Sequence, residues 1–180
     1  MTERVNHRVL LLPGWQDAGP THWQSRWEAL HGYRRVEQSD WLWPRRGDWM
    51  ARLDEVLLED ETPVVLVAHN LGCHLVAAWA AHTQHAARVH AALLVEPLDL
   101  QCDDAPPNLC NWRPVVRQVL PFASLLVASS DDPLCSEAHA AALAADWGST
   151  WCLLGALGRL NGDSGQGDWD AGHALLRSLG

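Results

Sequence analysis

Glu96 is the residue of this sequence best placed for acid–base chemistry. It ends the apolar run Ala91-Ala92-Leu93-Leu94-Val95 and precedes Pro97, so its carboxylate is expected to project from a strand end instead of into the core. If Leu98, Leu134 and Leu157 desolvate it, its pKa rises and it can act as a general base that takes a proton from carbon, as in a Kemp-type elimination. Asn70 or Arg159 would then donate hydrogen bonds to the developing negative charge. A salt bridge from Arg159 to Glu96 would pull the pKa back down, and the pair would then be structural, as would a Glu96 turned to solvent.

The other candidate groups are weaker. Ala68-His69-Asn70-Leu71-Gly72 follows a buried strand and runs straight into a helical pattern, a strand, a sharp turn and a helix. The residue at the apex is Asn, whose amide oxygen is a poor nucleophile but whose backbone tolerates a left-handed conformation. Ser129, Ser130, Ser136, Cys135 and Cys73 could replace it as nucleophiles, yet no recognisable motif supplies any of them with a base. His69 is expected to point away from the turn, His22 to brace the first helix, and His139 and His173 to lie on the surface of helices. Ten His residues show no H-x-x-x-H or H-E-x-x-H spacing, so neither a metal site nor a cofactor is expected.

Composition narrows the function classes. The chain has 180 residues with 48% hydrophobic and 19% charged residues, which fits one globular domain spanning 1–180. All 13 basic residues are Arg, so lysine Schiff-base and P-loop lysine mechanisms are excluded. A net charge of −9 argues against nucleic acid as a partner. Five Cys without a C-x-x-C pair fit a reducing cytoplasm, and the apolar stretch Val9 to Leu12 is too short for a signal segment or a membrane span. The expected partner is a small-molecule ligand or substrate, and oligomeric state is left open.

Strands are expected at Val9 to Leu12, Arg34 to Gln38, Val64 to Ala68, Ala91 to Val95, Ser124 to Ala128 and Trp151 to Leu154. Helices are expected over Thr21 to Leu30, from an Asp48 N-cap through Leu57, over Leu71 to His82 and over Glu137 to Trp147. Doubly buried strands separated by helices imply a mostly parallel sheet in a three-layer α/β/α arrangement, with ligands bound beyond the carboxyl ends of the strands.

A set of motifs runs nearly the whole length of the chain: Pro13-Gly14-Trp15, Gly19-Pro20, His22-Trp23-Gln24, the turn at Asn70, Asp132-Pro133 with Cys135-Ser136, Gly158 with Asn161, Ser164-Gly165, and Gly167-Asp168-Trp169. Together they resemble the small YdeN-like serine hydrolases related to the retinoblastoma-binding hydrolase of animals. The resemblance implies a small α/β-hydrolase without a large lid, acting on esters or amides through Ser, His and Asp. Carried onto this sequence, it places the acid at Asp132, the nucleophile position at Asn70 and the base position at Arg159. Arg stays protonated and cannot act as a base, so two of three triad members are replaced. The implied oxyanion-hole amides are those of Leu71 and of Trp15 or Gln16.

Glu96, Ala18, Leu134 and Leu157 also depart from the pattern that the resemblance implies, all at the same strand ends. A scaffold kept while its pocket is changed is the pattern of a redesigned, engineered active site. Three readings follow: a disarmed hydrolase scaffold with Glu96 as a new base, a catalytically silent protein that binds a small ligand or a protein partner through the old pocket, and a residual esterase using an unusual nucleophile.

Overall fold

Aliphatic runs such as Val64-Val65-Leu66-Val67-Ala68 bury both faces of an extended chain, and they can do so only at the centre of a sheet covered on each side. The computed structural model of the protein, which describes residues 6–180, forms that sheet from β1 (Arg8–Leu12), β2 (Arg34–Arg35), β3 (Val64–His69), β4 (Val89–Val95), β5 (Ala123–Ala128) and β6 (Thr150–Leu153). Residues 1–5 of the expected domain lie outside the described residues. The strand order is β2-β1-β3-β4-β5-β6. Every pairing is parallel, with Leu10 beside Leu66 and Leu94 beside Leu126 fixing the register.

Side-chain alternation sorts the helices onto two faces. Leu10, Leu12, Leu66 and Ala68 point to one face and pack with Trp49 and Leu53 of α2 (Arg46–Leu58), Leu75 and Trp79 of α3 (Leu71–His82), and Leu143 and Trp147 of α4 (Glu137–Trp147). Leu11, Val65 and Val67 point to the other face and meet Trp23 and Trp27 of α1 (Trp23–His31), Trp169, and Leu176 of α5 (Asp170–Leu179). The result is the expected three-layer α/β/α arrangement.

Three local expectations need correction. β2 is two residues long, although the Val36 N–H still donates to Leu11 O and the Val36 side chain packs into the core with residues of α2. Asp48 is not an N-cap: α2 already begins at Arg46, and Asp48 lies in its first turn, where a carboxylate still favours the positive end of the helix dipole. α1 begins at Trp23 with His22 as its cap, its imidazole accepting the Gln24 N–H.

The turn from β3 into α3 sets the geometry beyond the strand ends. Asn70 has φ 57° and ψ −120°, a conformation costly for a residue with a side chain. Two glycines make room for it. A Cβ on Gly14 would lie 2.5 Å from the Asn70 Cβ, and one on Gly72 would lie 2.3 Å from the Leu12 carbonyl oxygen, which is backbone and cannot move aside. Gly72→Ala is therefore expected to cost about 3 kcal/mol through overpacking, measured as a shift in the urea unfolding midpoint without a change in slope.

Candidate functional site

The parallel ladder continues past the strand ends and draws the connecting loops together. Asn70 N donates to Val95 O, Glu96 N to Val127 O, and Ser130 N to Gly155 O. Between these loops lies a cleft of about 330 Å³, and Asn70, Glu96, Asp132 and Arg159 all line it. Four positions singled out from the sequence thus meet in one place. Leu98 and Leu134 also line the cleft as expected, whereas Ala18 and Leu157 do not. Ala18 is buried behind the first loop, where its carbonyl accepts from Ser25 and Arg35. Leu157 packs against the core on the α1 and α5 side, so it does not desolvate Glu96.

Asn70 makes the site unlike an open oxyanion hole. Its side-chain oxygen accepts the Trp15 N–H at 3.1 Å, so the protein's own amide carbonyl occupies a donor that a substrate oxygen would need. Gln16 N is spent on Trp41 O, which removes Gln16 from the two first-loop candidates and leaves Trp15. The Leu71 N–H is the first of α3 and has no acceptor within its own helix, as at the start of any helix.

Glu96 is 1% exposed and sits at a positive φ of 50°. Its Oε1 accepts the Ser129 N–H at 2.5 Å. No N–H or O–H donor among the described residues reaches Oε2, and the group it meets is the Asp132 carboxyl. Burial, followed by the neighbouring Asp132 charge, pushes the Glu96 pKa up to about 9, against the pull of the Ser129 N–H. At neutral pH Glu96 therefore carries a proton, which it donates to Asp132. Asp132, 8% exposed, is itself raised by burial, while the Leu134 N–H, the Glu96 proton and Arg159 favour its ionised form. The weighed ion pair between Glu96 and Arg159 does not form; Arg159 is exposed at the cleft and acts on Asp132 from a distance.

His69 corrects the expectation that it points away. Strand alternation places it on the same side as Val65 and Val67, where it lines the cleft and meets His22, and that period-two pattern is the signal which could have found it. The two rings form a chain whose proton positions follow from its ends. Gln24 N donates to His22 Nδ1 at 3.0 Å, so the neutral ring carries its proton on Nε2 and donates to His69 Nδ1 at 3.2 Å; His69 Nε2 then donates to Arg159 O at 3.1 Å. Burial, aided by the neighbouring ring, lowers His22 to about 2, and burial lowers His69 to about 4. Neither ring has a lone pair left to act as a base.

Most of the alternative nucleophiles are likewise committed; Ser130 is exposed, and what the structure bonds is its backbone N–H, to Gly155 O. Ser129 donates to Gly158 O at 2.5 Å, and Ser136 caps α4. Burial pushes the thiols of Cys73 and Cys135 well above their ordinary range. His139 is not a surface residue, since its ring is largely buried 3.7 Å from Asp99, and His173 is held by Tyr33. Among the described residues, no group of three or more His, Cys, Asp or Glu is placed to hold a metal ion, and no helix is long and apolar enough to cross a membrane.

These shifts predict a stability maximum near pH 6.5. His22, His69 and His74 lie at about 2, 4 and 4 in the fold against 6.5 unfolded, so the unfolded chain binds protons that the native state refuses, and stability falls as pH drops below 6.5. Glu96 works in the opposite sense: with 4.5 unfolded and about 9 folded, its contribution is complete below pH 4.5 and is lost as pH rises to 9. Even with Asp132 added to Glu96, three His protons outnumber two carboxyl protons on the acid side. On the alkaline side Glu96 alone gives a decline of about 1.4 kcal/mol per pH unit. Urea unfolding across pH should show this peak, and Glu96→Gln should flatten its alkaline limb.

Comparison with known proteins follows the same fold. A family model for serine hydrolases matches residues 9–178. A protein assigned as a YdeN-like hydrolase from Pectobacterium atrosepticum superposes with a TM-score of 0.83 at 26% identity, covering 97% of this chain and 90% of that one. The ydeN gene product of Bacillus subtilis gives 0.75 at 21% identity, covering 97% and 98%. A thermophilic esterase from Thermogutta terrifontis gives 0.67 at 15% identity, covering 97% and 91%, a likeness of fold. No curated protein matches the sequence. With its sheet order, its turn at Asn70 and a match over nearly its whole length, the chain belongs to the serine hydrolase family, on an α/β-hydrolase fold.

Proposed function

We propose that this member of the serine hydrolase family binds a small polar ligand in the cleft and does not pass through an acyl-enzyme. The observation that carries the reading is the bond from the Trp15 N–H to the Asn70 side-chain oxygen, by which the protein fills its own oxyanion position. Asn at the apex cannot attack a carbonyl, and Arg159 cannot remove a proton. The nearby imidazoles are spent in the chain ending at Arg159 O, the nearby thiols are protonated, the Ser129 hydroxyl is committed to Gly158 O, and the exposed Ser130 hydroxyl has no base beside it among the hydrogen bonds of the described residues. A residual esterase has no nucleophile with a base in this arrangement.

The paired carboxyls favour a second reading, proton abstraction from carbon. With the proton resident on Glu96 at neutral pH, the base is Asp132 and Glu96 steadies it, the reverse of the role expected for Glu96 from the sequence. Asp132 would take the proton from carbon, the electron pair would form the new multiple bond, and the leaving group would depart with its charge.

Fluorophosphonate labelling read by intact mass tests the first reading. The protein is expected to gain no adduct, while the double variant Asn70→Ser, Arg159→His, with Asp132 unchanged, labels about 100-fold faster or more. A labelled parent overturns the reading. For the second, ring opening of 5-nitrobenzisoxazole should be seen at neutral pH and lost in Asp132→Asn; no turnover above buffer removes it.

A further inference from the structure

The two edges of the sheet are finished differently. β2, at one edge, is two arginines long, and both side chains are spent in ion pairs, Arg34 with Glu59 and Arg35 with Asp17 and Glu28. A strand that short and that charged offers little to a second chain. β6, at the other edge, reads Thr150-Trp151-Cys152-Leu153, and residues 147–158 around it carry no charged side chain and no proline. β5 beside it is likewise uncharged, and Leu153 is 40% exposed.

The direction of the ladder bonds fixes which backbone groups this edge leaves free. Val127 faces β4, where its carbonyl accepts from Glu96 N, so Ala128 faces β6, and its carbonyl accepts from Leu154 N. In a parallel pair the bonded residues alternate, which turns Thr150 and Cys152 toward β5 with Leu154 and turns the N–H and C=O of Trp151 and Leu153 outward. No turn, cap or loop bond between backbone groups of the described residues takes up these four groups.

This edge is complementary to itself. Trp151 and Leu153 flank Cys152, so a two-fold axis through Cys152 brings Trp151 of one copy opposite Leu153 of the other in an antiparallel pair, where the two residues exchange both N–H···O bonds. All four free groups on each copy are then matched. Alternation puts Trp151 and Leu153 on one face, where Trp151 packs with the core that α4 covers, so each cross-strand pair sets an aromatic ring against an aliphatic chain. We propose that the outer edge of β6 is a dimerisation surface, on which a second copy of this chain adds its own β6 antiparallel and joins the two six-stranded sheets into one.

Charge favours a second copy here as register does. Each chain carries a net −9, so two copies repel wherever they present that charge, and this edge presents none. The nearest acidic residue before the strand, Asp146, is held by Arg117. A pairing of four-residue strands is smaller than the about 800 Å² that a standard interface buries on each partner, so the dimer is weak and forms with rising concentration.

Sedimentation velocity from about 1 to 500 μM is expected to show the chain passing from monomer to dimer, half converted at about 10 to 100 μM. Leu153→Pro deletes one outward N–H on each copy, and Leu153→Lys keeps it but charges the edge. Each should weaken dimerisation about tenfold or more while thermal unfolding shows the variant folded. The two-fold also sets Cys152 opposite its counterpart in a pair without hydrogen bonds, with Cα atoms about 4.5 Å apart and within disulfide reach. With the exposed thiols removed by Cys102→Ser and Cys110→Ser, mild oxidation of the dimer should link Cys152 to Cys152 of the second copy, and Cys152→Ser should abolish the link. A chain that stays monomeric to the top of the concentration range overturns the proposal, whether the edge is bare or taken by a different partner. A dimer indifferent to both Leu153 substitutions overturns it too, as does one whose Cys152 thiols do not couple.

Discussion

The left-handed turn at Asn70 is the constraint on which the rest of the site depends. A helix can follow a buried parallel strand so abruptly only if one residue accepts an unfavourable φ and the neighbouring chain comes within backbone contact. Gly72 supplies the contact against the Leu12 carbonyl, and Gly14 supplies it against Asn70 itself. The same close approach puts the Trp15 N–H within reach of the Asn70 side chain. Strain at this point is matched nearby, since Gln16, Asp17, Glu96 and Leu160 also hold positive φ values. These residues form the rim and floor of the cleft or adjoin it.

Polar groups buried around that turn are satisfied in a way that closes one chemistry and opens another. Hydrogen bonds run in one direction from Gln24 through His22 and His69 to Arg159, which ties the loop after β6 to the start of α1 and consumes both imidazole lone pairs. The loop after β5 is secured by Ser129 and Asp131, both bonded to Gly158. Within this frame, Glu96 and Asp132 are the groups left to settle their charge between themselves, and burial decides the outcome: one proton is retained at neutral pH. A fold that elsewhere carries acyl transfer thus presents a carboxyl pair at the same strand ends.

Much of the fold was legible in the residues. The aliphatic runs located the central strands, and α3 and α4 begin and end where helical periodicity and the flanking residues indicate. The meeting of Asn70, Asp132 and Arg159 was implied by the family resemblance, and the loops at the carboxyl ends of β3, β5 and β6 do converge on one cleft. Boundaries were less readable where tertiary contacts accompanied local signals, as at β2, which ends at Arg35 while Val36 is buried in the core. Leu157 illustrates the limit for side chains: its place beside Gly158 was visible, but the direction it faces depended on the loop's path over the α1 side.

Residue types alone determined the chemistry that Asn70 and Arg159 cannot perform, since nucleophilicity and basicity are properties of the side chain before any fold exists. The partners those groups took were decided by three-dimensional packing. A sequence does not state that the Asn70 oxygen meets the Trp15 N–H, that His69 joins His22, or that Glu96 meets Asp132 and not Arg159. Each pairing spans tens of residues, and each sets a charge state through burial and neighbouring dipoles that exist only once the strands and helices have closed around it.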